Sequence, residues 1–242
     1  MSIPDSVRNK RFTQAFTPRK RSISIEYTAL AVLKYCEGET YRFLHHGDAP
    51  DLQDTDKSIG IEVTRAVDIG EAQAQSEFVK LREKDDPDEK EKCRRIIRQT
   101  GFKLPEDWCM KHPSSSLKQE REIIVHAFES KIQKVNAYRQ NGFSSVGVFI
   151  YREDPLFSDT ESEWFDWLQS AQAEAPDRFD FAYLCYISGL LFYDFKKQVA
   201  TKREIIQTDL EALLKLGSIA AIGEIKDDDP LWVQLIESCA ND

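Results

Sequence analysis

Two short stretches decide how this chain folds: Pro50-Asp51, and SIGIEVT at residues 58–64. The second stretch is apolar and β-branched around a glycine, which predicts a buried strand. Asp51 opens the preceding short strand, so in a hairpin its carboxylate can lie beside that of Glu62. Glu62 faces one side of the sheet, while its two apolar neighbours face the core. A buried carboxylate costs free energy unless a metal ion or a basic partner compensates its charge.

The flanking sequence predicts helices and further strands around this one. Apolar spacing favours helices at residues 22–36, 117–139, 159–173 and 203–216, with a charged helical pair at 71–99 that breaks near 85–88. Strands are predicted at residues 40–44, 51–53, 58–64, 145–151, 179–187 and 190–195, with a turn at 45–49 and a loop at 100–117. Together they predict an α/β fold, with a central mixed sheet of about five or six strands flanked by helices.

The domain organisation follows from composition. Residues 1–21 read as a polar N-terminal arm with six basic residues and one acid, which either contacts phosphate or is a solvated terminus. Residues 22–242 are expected to form a single domain that carries a helical insertion at about 70–118.

The bulk properties exclude several classes of function. A net charge of -9 is unlike a dedicated nucleic-acid binder, which usually carries a basic field. No apolar run reaches the ~18 residues of a membrane span, so no membrane partner is expected. The N-terminus lacks the apolar segment of a secretory signal. Five scattered cysteines without a CxxC pair argue against zinc and disulfides and indicate a reducing, cytoplasmic location.

Other catalytic signatures are missing from the sequence. It contains no phosphate-cradling GxxxxGK[ST] or GxGxxG loop, no GxSxG elbow and no HExxH pair. The adjacent His45 and His46 would point to opposite faces of a strand, so a histidine-centred site is not expected.

Pro50-Asp51 followed by Ile59-Gly60-Ile61-Glu62-Val63-Thr64 resembles the metal-binding core of the PD-(D/E)XK superfamily of nucleases. The restriction-endonuclease-like core of that family also runs helix–strand–strand–strand–helix–strand, and the resemblance covers roughly residues 24–151. It implies a metal-dependent nuclease that hydrolyses phosphodiester bonds of DNA with Mg²⁺ or Mn²⁺. These are hard cations that take oxygen ligands.

The resemblance assigns metal-binding roles to four residues. Asp51 matches the first metal-binding acid of the family and Glu62 the second, and both are candidate catalytic residues. Glu26, on the opening helix, matches an acid that many members place there to bind metal or order the site. The peptide carbonyl of Val63 would be a further ligand.

The family's lysine is expected two residues after the second acid, where this chain has Thr64. In some members the lysine migrates to a neighbouring helix, and Lys131 and Lys134 share one face of the helix predicted at 117–139. Some uncharacterised bacterial members combine a Gly-Ile-Glu-Val-Thr strand with a lysine-rich helix that ends in tyrosine, here Tyr138. Lys131 and Lys134 are therefore candidate catalytic residues.

Each assignment has an ordinary structural alternative. Glu62 can pair with Arg42 or Arg65, Asp51 can be a turn residue after proline, and Glu26 can be a solvated first-turn acid. Helix lysines are usually solvated. A nuclease is thus the first expectation, with DNA as partner and a homodimer suggested because duplex-cutting members often pair. The alternative is a catalytically inactive binding or immunity-type protein of the same fold.

Overall fold

The structure is a computed structural model that describes residues 18–102, 116–223 and 225–226. The chain divides into two compact units. One comprises residues 67–123, and the other joins the segments on either side of it. The predicted insertion at 70–118 falls within the smaller unit.

Helices and strands alternate along the chain. The helices are α1 Pro18–Glu37, α2 Ile69–Glu83, α3 Pro87–Gln99, α4 Leu117–Ile132, α5 Val135–Gln140, α6 Ser158–Ala171 and α7 Gln207–Ala221, and a short 3-10 helix follows α1 at Gly38–Tyr41. The strands are β1 Leu44–His46, β2 Leu52–Asp54, β3 Ile59–Arg65, β4 Ser145–Tyr151, β5 Phe181–Tyr186, β6 Gly189–Asp194 and β7 Val199–Glu204. None of the helices in the described residues is long and apolar enough to cross a membrane.

The larger unit is built on one sheet, in which the strands of the described residues lie in sequence order from β1 to β7. The central strands β3, β4 and β5 run parallel to their neighbours in that trio, whereas the outer pairings on both sides are antiparallel. This arrangement confirms the predicted α/β fold with a mixed sheet. It contains seven strands rather than five or six.

One face of the sheet is covered by α1 and α7. Ile61 and Val63 of β3 point into this core and are almost fully buried. Gly217 of α7 lies directly against Thr28 of α1, where a larger side chain would clash. The two helices can therefore pack closely over the apolar face that the alternation along β3 predicts.

The opposite face packs against α4 and α6. The Phe128 ring of α4 lies 5.4 Å from the Phe179 ring, and the Phe165 ring of α6 stacks 4.9 Å from Tyr193. Trp164 of α6 is 1 % exposed. The aromatic residues Trp164, Phe165 and Trp167 of α6 therefore pack against the sheet. Glu62 of β3 points to this same face of the sheet.

The smaller unit holds the helical pair α2 and α3. Asp68 caps α2 by accepting from the backbone N–H groups of Gly70 and Glu71, and Asp86 caps α3 by accepting from Asp88. Such caps satisfy backbone donors that a helix start leaves unpaired. The break predicted near residues 85–88 corresponds to the gap between the end of α2 at Glu83 and the start of α3 at Pro87. The apolar core of the smaller unit comprises Ala74, Leu81, Cys93, Ile97 and Phe102.

The prediction of a strand at residues 40–44 is wrong. Tyr41 belongs to the 3-10 helix, is buried, and hydrogen-bonds through its hydroxyl to that of Tyr183 at 2.8 Å. Phe43, which alternation placed on the same face, is 69 % exposed. The strand is β1, Leu44–His46, and it occupies part of the segment predicted as a turn.

The C-terminal strand β7 is also missing from the prediction, which began a helix at residue 203. Every residue of β7 is exposed, so the segment has no apolar alternation that sequence reasoning can detect. Backbone pairing with β6 defines it, and the helix begins later, at Gln207. Residues 1–17 of the predicted basic arm and most of the predicted loop at 100–117 lie outside the described residues.

Candidate metal centre

Asp51 and Glu62 lie side by side where β2 pairs with β3. Leu52 opposes Ile61 in the ladder, so continuing the register by one residue sets Asp51 opposite Glu62. The Asp51 carboxylate accepts a hydrogen bond of 2.7 Å from the backbone N–H of Val63. The hairpin thus brings the two predicted acids to one place on the sheet.

A glycine in β3 makes this placement sterically feasible. A Cβ atom at Gly60 would lie 2.6 Å from the ring of Pro50 and 2.9 Å from that of Phe143. Both distances are too short for real contacts, so only glycine lets Pro50 pack on this strand without rearrangement. Gly60 therefore helps to position Asp51, because Asp51 directly follows Pro50 in the chain.

Glu62 is the most strongly held group in the site. Its side chain is 1 % exposed, and its Oε1 atom accepts from the Nζ atoms of Lys131 and Lys134, both at 2.6 Å. The hydroxyl of Tyr138 donates to the other oxygen, Oε2. The structure therefore brings both predicted lysines onto the predicted second acid.

The arginines proposed as alternative partners of Glu62 lie elsewhere. Arg42 forms a salt bridge with Glu39 at 3.6 Å, and Arg65 pairs with Glu153 at 2.6 Å. Thr64, at the position of the family's lysine, is half-buried opposite Ile150 in the β3–β4 ladder.

The two lysines reach Glu62 from a break between helices. The single helix predicted at 117–139 is wrong, because α4 ends at Ile132 and α5 begins at Val135. At the break, the N–H of Lys134 donates to the carbonyl of Lys131 at 3.0 Å. This hydrogen bond spans three residues, as in a 3-10 helix, rather than the four of an α-helix. Both Nζ atoms nevertheless converge on one carboxylate oxygen.

The two acids have opposite pKa shifts. Burial raises the pKa of Asp51 to about 6, with the nearby charge of Glu62 adding to it and the Val63 N–H opposing it. Burial also acts to raise the pKa of Glu62, but Lys131, Lys134 and Tyr138 outweigh it and hold that pKa below its usual range. The surroundings therefore stabilise the charged form of Glu62 and disfavour the charged form of Asp51.

Glu26 is held by its own partners. Its Oε2 atom lies 2.7 Å from Nε2 of His46, and its Oε1 atom accepts from the hydroxyl of Ser22 at 3.0 Å. The His46 ring stacks on Tyr27 with 4.4 Å between ring centroids. The charge of Glu26 contributes to the raised pKa of Asp51, so the helix acid acts on the site electrostatically.

Sequence reasoning missed His46 and gave Tyr138 no role. His46 was assigned to a turn, and only its place in β1 next to α1 brings it to Glu26. Tyr138 ends the lysine-rich segment and lies four residues after Lys134. Because residues four apart share one face of a helix, this spacing could have indicated that Tyr138 and Lys134 reach the same partner.

The donor set suits a hard divalent cation. Among the described residues, no group of three or more His, Cys, Asp and Glu side chains is arranged to hold a metal ion. Mg²⁺ needs no such cage, because one or two carboxylates commonly hold it while water fills the remaining positions. Asp51 and Glu62 are two such carboxylates, and a cation would favour the charged form of Asp51, whose pKa is raised first by burial and then by the charge of Glu62. The N–H of Val63, rather than its carbonyl, is the group that contacts Asp51.

Comparison of the chain with models of protein families, with curated proteins and with solved structures finds no match.

Proposed function

We propose that the protein is a metal-dependent nuclease that hydrolyses phosphodiester bonds of DNA, with the altered lysine position that its resemblance to PD-(D/E)XK nucleases implies. The observation that carries the proposal is the convergence of Lys131 and Lys134 on buried Glu62, beside Asp51. The resemblance assigns these residues the roles of the metal-binding acids and of the displaced lysine.

Asp51 and Glu62 would hold the metal, Mg²⁺ or Mn²⁺. When bound, the metal supplies Lewis-acid polarisation of the phosphate and a lowered pKa for a nearby water molecule. Glu62 lies within β3, a position that holds a functional group more exactly than a loop does. Asp51 lies immediately before β2, where the N–H of Val63 holds its carboxylate, and Glu26, fixed by His46, adds negative charge near it.

Lys131 and Lys134 differ in their access to a substrate. The side chain of Lys131 is 22 % exposed, whereas that of Lys134 is 46 % exposed. Burial lowers the pKa of Lys134, but Glu62 outweighs burial and raises it, so this ammonium stays charged at neutral pH. Lys131 is therefore assigned to position water and stabilise developing charge beside the acids, and Lys134 to attract the phosphate.

Tyr138 fixes the second oxygen of Glu62. Burial and the hydrogen bond to Glu62 both raise the pKa of its hydroxyl, so it remains a proton donor to the carboxylate. This contact sets the orientation of Glu62 in the way that outer-shell partners orient metal ligands. Tyr138 is accordingly a positioning residue.

The direct test is a nuclease assay with Mg²⁺ and with Mn²⁺ on plasmid, linear duplex and single-stranded DNA. We expect cleavage that requires metal and falls about 10²–10⁴-fold in Glu62→Gln, which keeps the side-chain size but removes the charge. A homodimer that cuts both strands is expected to give linear plasmid, whereas a monomer gives nicked circles.

Glu153→Gln is the matched control for this assay. It removes the same charge from a partly exposed ion pair with Arg65, and we expect cleavage to stay at the wild-type rate. Cleavage that survives Glu62→Gln would remove this site from the proposal.

A second candidate is a catalytically inactive binding or immunity-type protein. Both oxygens of Glu62 already have hydrogen-bond donors in Lys131, Lys134 and Tyr138, so the network is satisfied as a purely structural unit. This function predicts that Mg²⁺ and Mn²⁺ fail to bind and that no DNA is cleaved, although the folded protein is stable.

A further inference from the structure

A cleft of about 530 Å³ opens beside α5, between the C-terminal end of α6 and the turn that joins β6 to β7. Its volume lies in the range of small-ligand sites. Its lining combines basic, amide and apolar side chains, among them Arg139, Gln169, Pro176, Phe195, Lys196 and Gln198. The metal centre does not use any of these residues.

Buried Asp180 fixes two cations at one side of the cleft. Its side chain is 6 % exposed and pairs with Arg139 at 2.9 Å and with Lys196 at 2.7 Å. The backbone N–H of Val146 also donates to it at 2.8 Å. The Arg139 side chain is 35 % exposed and also donates to the carbonyl of Arg178 at 3.1 Å, and the Lys196 side chain is 68 % exposed. Both retain N–H donors that an anion in the cleft can reach.

The balance of charge in the cleft is opposite to that of the whole chain. Three cations, Arg139, Arg178 and Lys196, line it against two carboxylates, Asp177 and Asp180, which leaves a net charge of +1. The chain as a whole carries -9. A local positive region on an acidic protein attracts an anionic group to one place rather than to the surface in general.

The rest of the lining suits a flat heterocycle with polar edges. Phe195 and Pro176 supply apolar surface, and Gln169 uses its Oε1 atom on Tyr193 at 3.2 Å, which leaves its amide N–H groups as donors. The Tyr193 hydroxyl also lies 2.9 Å from Oε1 of Gln198, so its single hydrogen is shared between the two amides, and the amide nitrogen of Gln198 donates to the carbonyl of Phe195 at 2.9 Å. Both glutamines are exposed and can present polar groups to a ligand.

We propose that this cleft binds one nucleotide unit, with its phosphate on Arg139 and Lys196 and its base against Phe195 and Pro176. The inference deepens the proposed nuclease function and rests on it for the source of the nucleotide. Helix α5 links the two sites, because Tyr138 donates to Glu62 while the next residue, Arg139, reaches the cleft. On this proposal the nucleotide belongs to a DNA chain that also reaches the candidate metal centre.

The test compares Lys196→Gln with Lys197→Gln in the full chain. Lys197 is the next residue of the same turn, but it pairs with Asp194 at 3.2 Å and does not line the cleft. Binding of dAMP, dTMP and inorganic phosphate is measured by calorimetry in EDTA. We expect the monophosphates to bind at least about tenfold more tightly than phosphate, and Lys196→Gln to weaken them about tenfold. Lys197→Gln should match wild type.

Three results would overturn the inference: no binding of either monophosphate, equal weakening in the two variants, or binding no tighter than that of inorganic phosphate. Because EDTA removes any metal, these measurements do not depend on cleavage. A protein that binds dAMP through Lys196 but never cuts DNA would refute the proposed nuclease function and leave the nucleotide site standing.

The source of the nucleotide is tested by competition with short single-stranded oligonucleotides that carry a 5′-phosphate or a 5′-hydroxyl. Displacement of dAMP by either oligonucleotide in wild type, weakened in Lys196→Gln, supports a nucleotide within a strand. Displacement by the phosphorylated form alone supports a strand end. If neither competes, the cleft takes free nucleotides, and its link to the metal centre is overturned.

Discussion

Glu62 and Asp180 are both buried carboxylates that each receive two basic side chains, yet they stand in different chemical settings. Glu62 contacts Lys131 and Lys134, and Asp180 contacts Arg139 and Lys196. The pKa of each is lowered, although burial opposes this in both cases. A buried acid with two cations is therefore not by itself a metal site.

The difference lies in the companion of each acid. Glu62 has Asp51 opposite it in the sheet, and the pKa of Asp51 is raised to about 6. Asp180 instead takes the backbone N–H of Val146, which locks its carboxylate to β4. In the first arrangement, burial and the neighbouring acids disfavour the charged form of Asp51 more than the Val63 N–H and Lys131 favour it, and a bound cation would favour it. The second uses its charge to hold two cations at the wall of a cleft.

The largest expected effect that separates the two regions is on turnover. Lys131→Met removes a hydrogen-bond donor from the candidate metal centre, and we expect kcat to fall about 100-fold. Lys196→Met removes a cation from Asp180, and its effect is expected in KM, with kcat within about threefold of wild type. Steady-state kinetics on one DNA substrate measures both. Equal losses of kcat would erase the distinction.

The second expected effect is on stability. Asp180→Asn removes a charge that Arg139, Lys196 and Val146 all stabilise, and we expect it to destabilise the fold by about 2 kcal/mol. Urea unfolding at pH 7 without metal measures this loss. Asp159→Asn, at an exposed position in the first turn of α6, is the control and should change stability by less than about 0.5 kcal/mol.

The smallest expected effect has the opposite sign. Because the pKa of Asp51 is raised, its contribution to stability is present below its ordinary value of 3.8 and is lost as pH rises through about 6. In metal-free protein at pH 7, Asp51→Asn should therefore raise Tm by about 2–4 °C. The gain should disappear near pH 4, where Asp51 is protonated. A variant that is less stable than wild type at pH 7 would contradict the raised pKa.

Local patterns in the sequence were enough to predict the central part of the fold. The apolar run at 58–64 is β3 and the strand at 145–151 is β4. The placement of Asp51 beside Glu62 follows from the antiparallel pairing of β2 with β3. Lys131 and Lys134 were named as candidate catalytic residues through a family resemblance, and the sequence did not predict that both contact Glu62. The break between α4 and α5 was not predicted, because the helical periodicity runs through it.

The cluster around Asp180 could not be predicted from local sequence patterns. Arg139, Asp180 and Lys196 come from three separate elements, and nothing in their immediate sequence predicts that they meet. The exposed strand β7 was missed for the same reason, since only pairing with β6 defines it. His46 also acquires its partner Glu26 solely through the packing of β1 near α1.

The most direct test of the central claim, that Asp51 and Glu62 form a divalent-cation site, is calorimetric titration of Mg²⁺ and Mn²⁺ at pH 7. We expect the wild-type protein and Asp180→Asn to bind one cation with similar affinity. The double variant Asp51→Asn/Glu62→Gln should lose at least about 100-fold in affinity, since even outer-shell partners of a metal contribute 10–100-fold. Unchanged binding in the double variant, or equal loss in Asp180→Asn, would contradict the account.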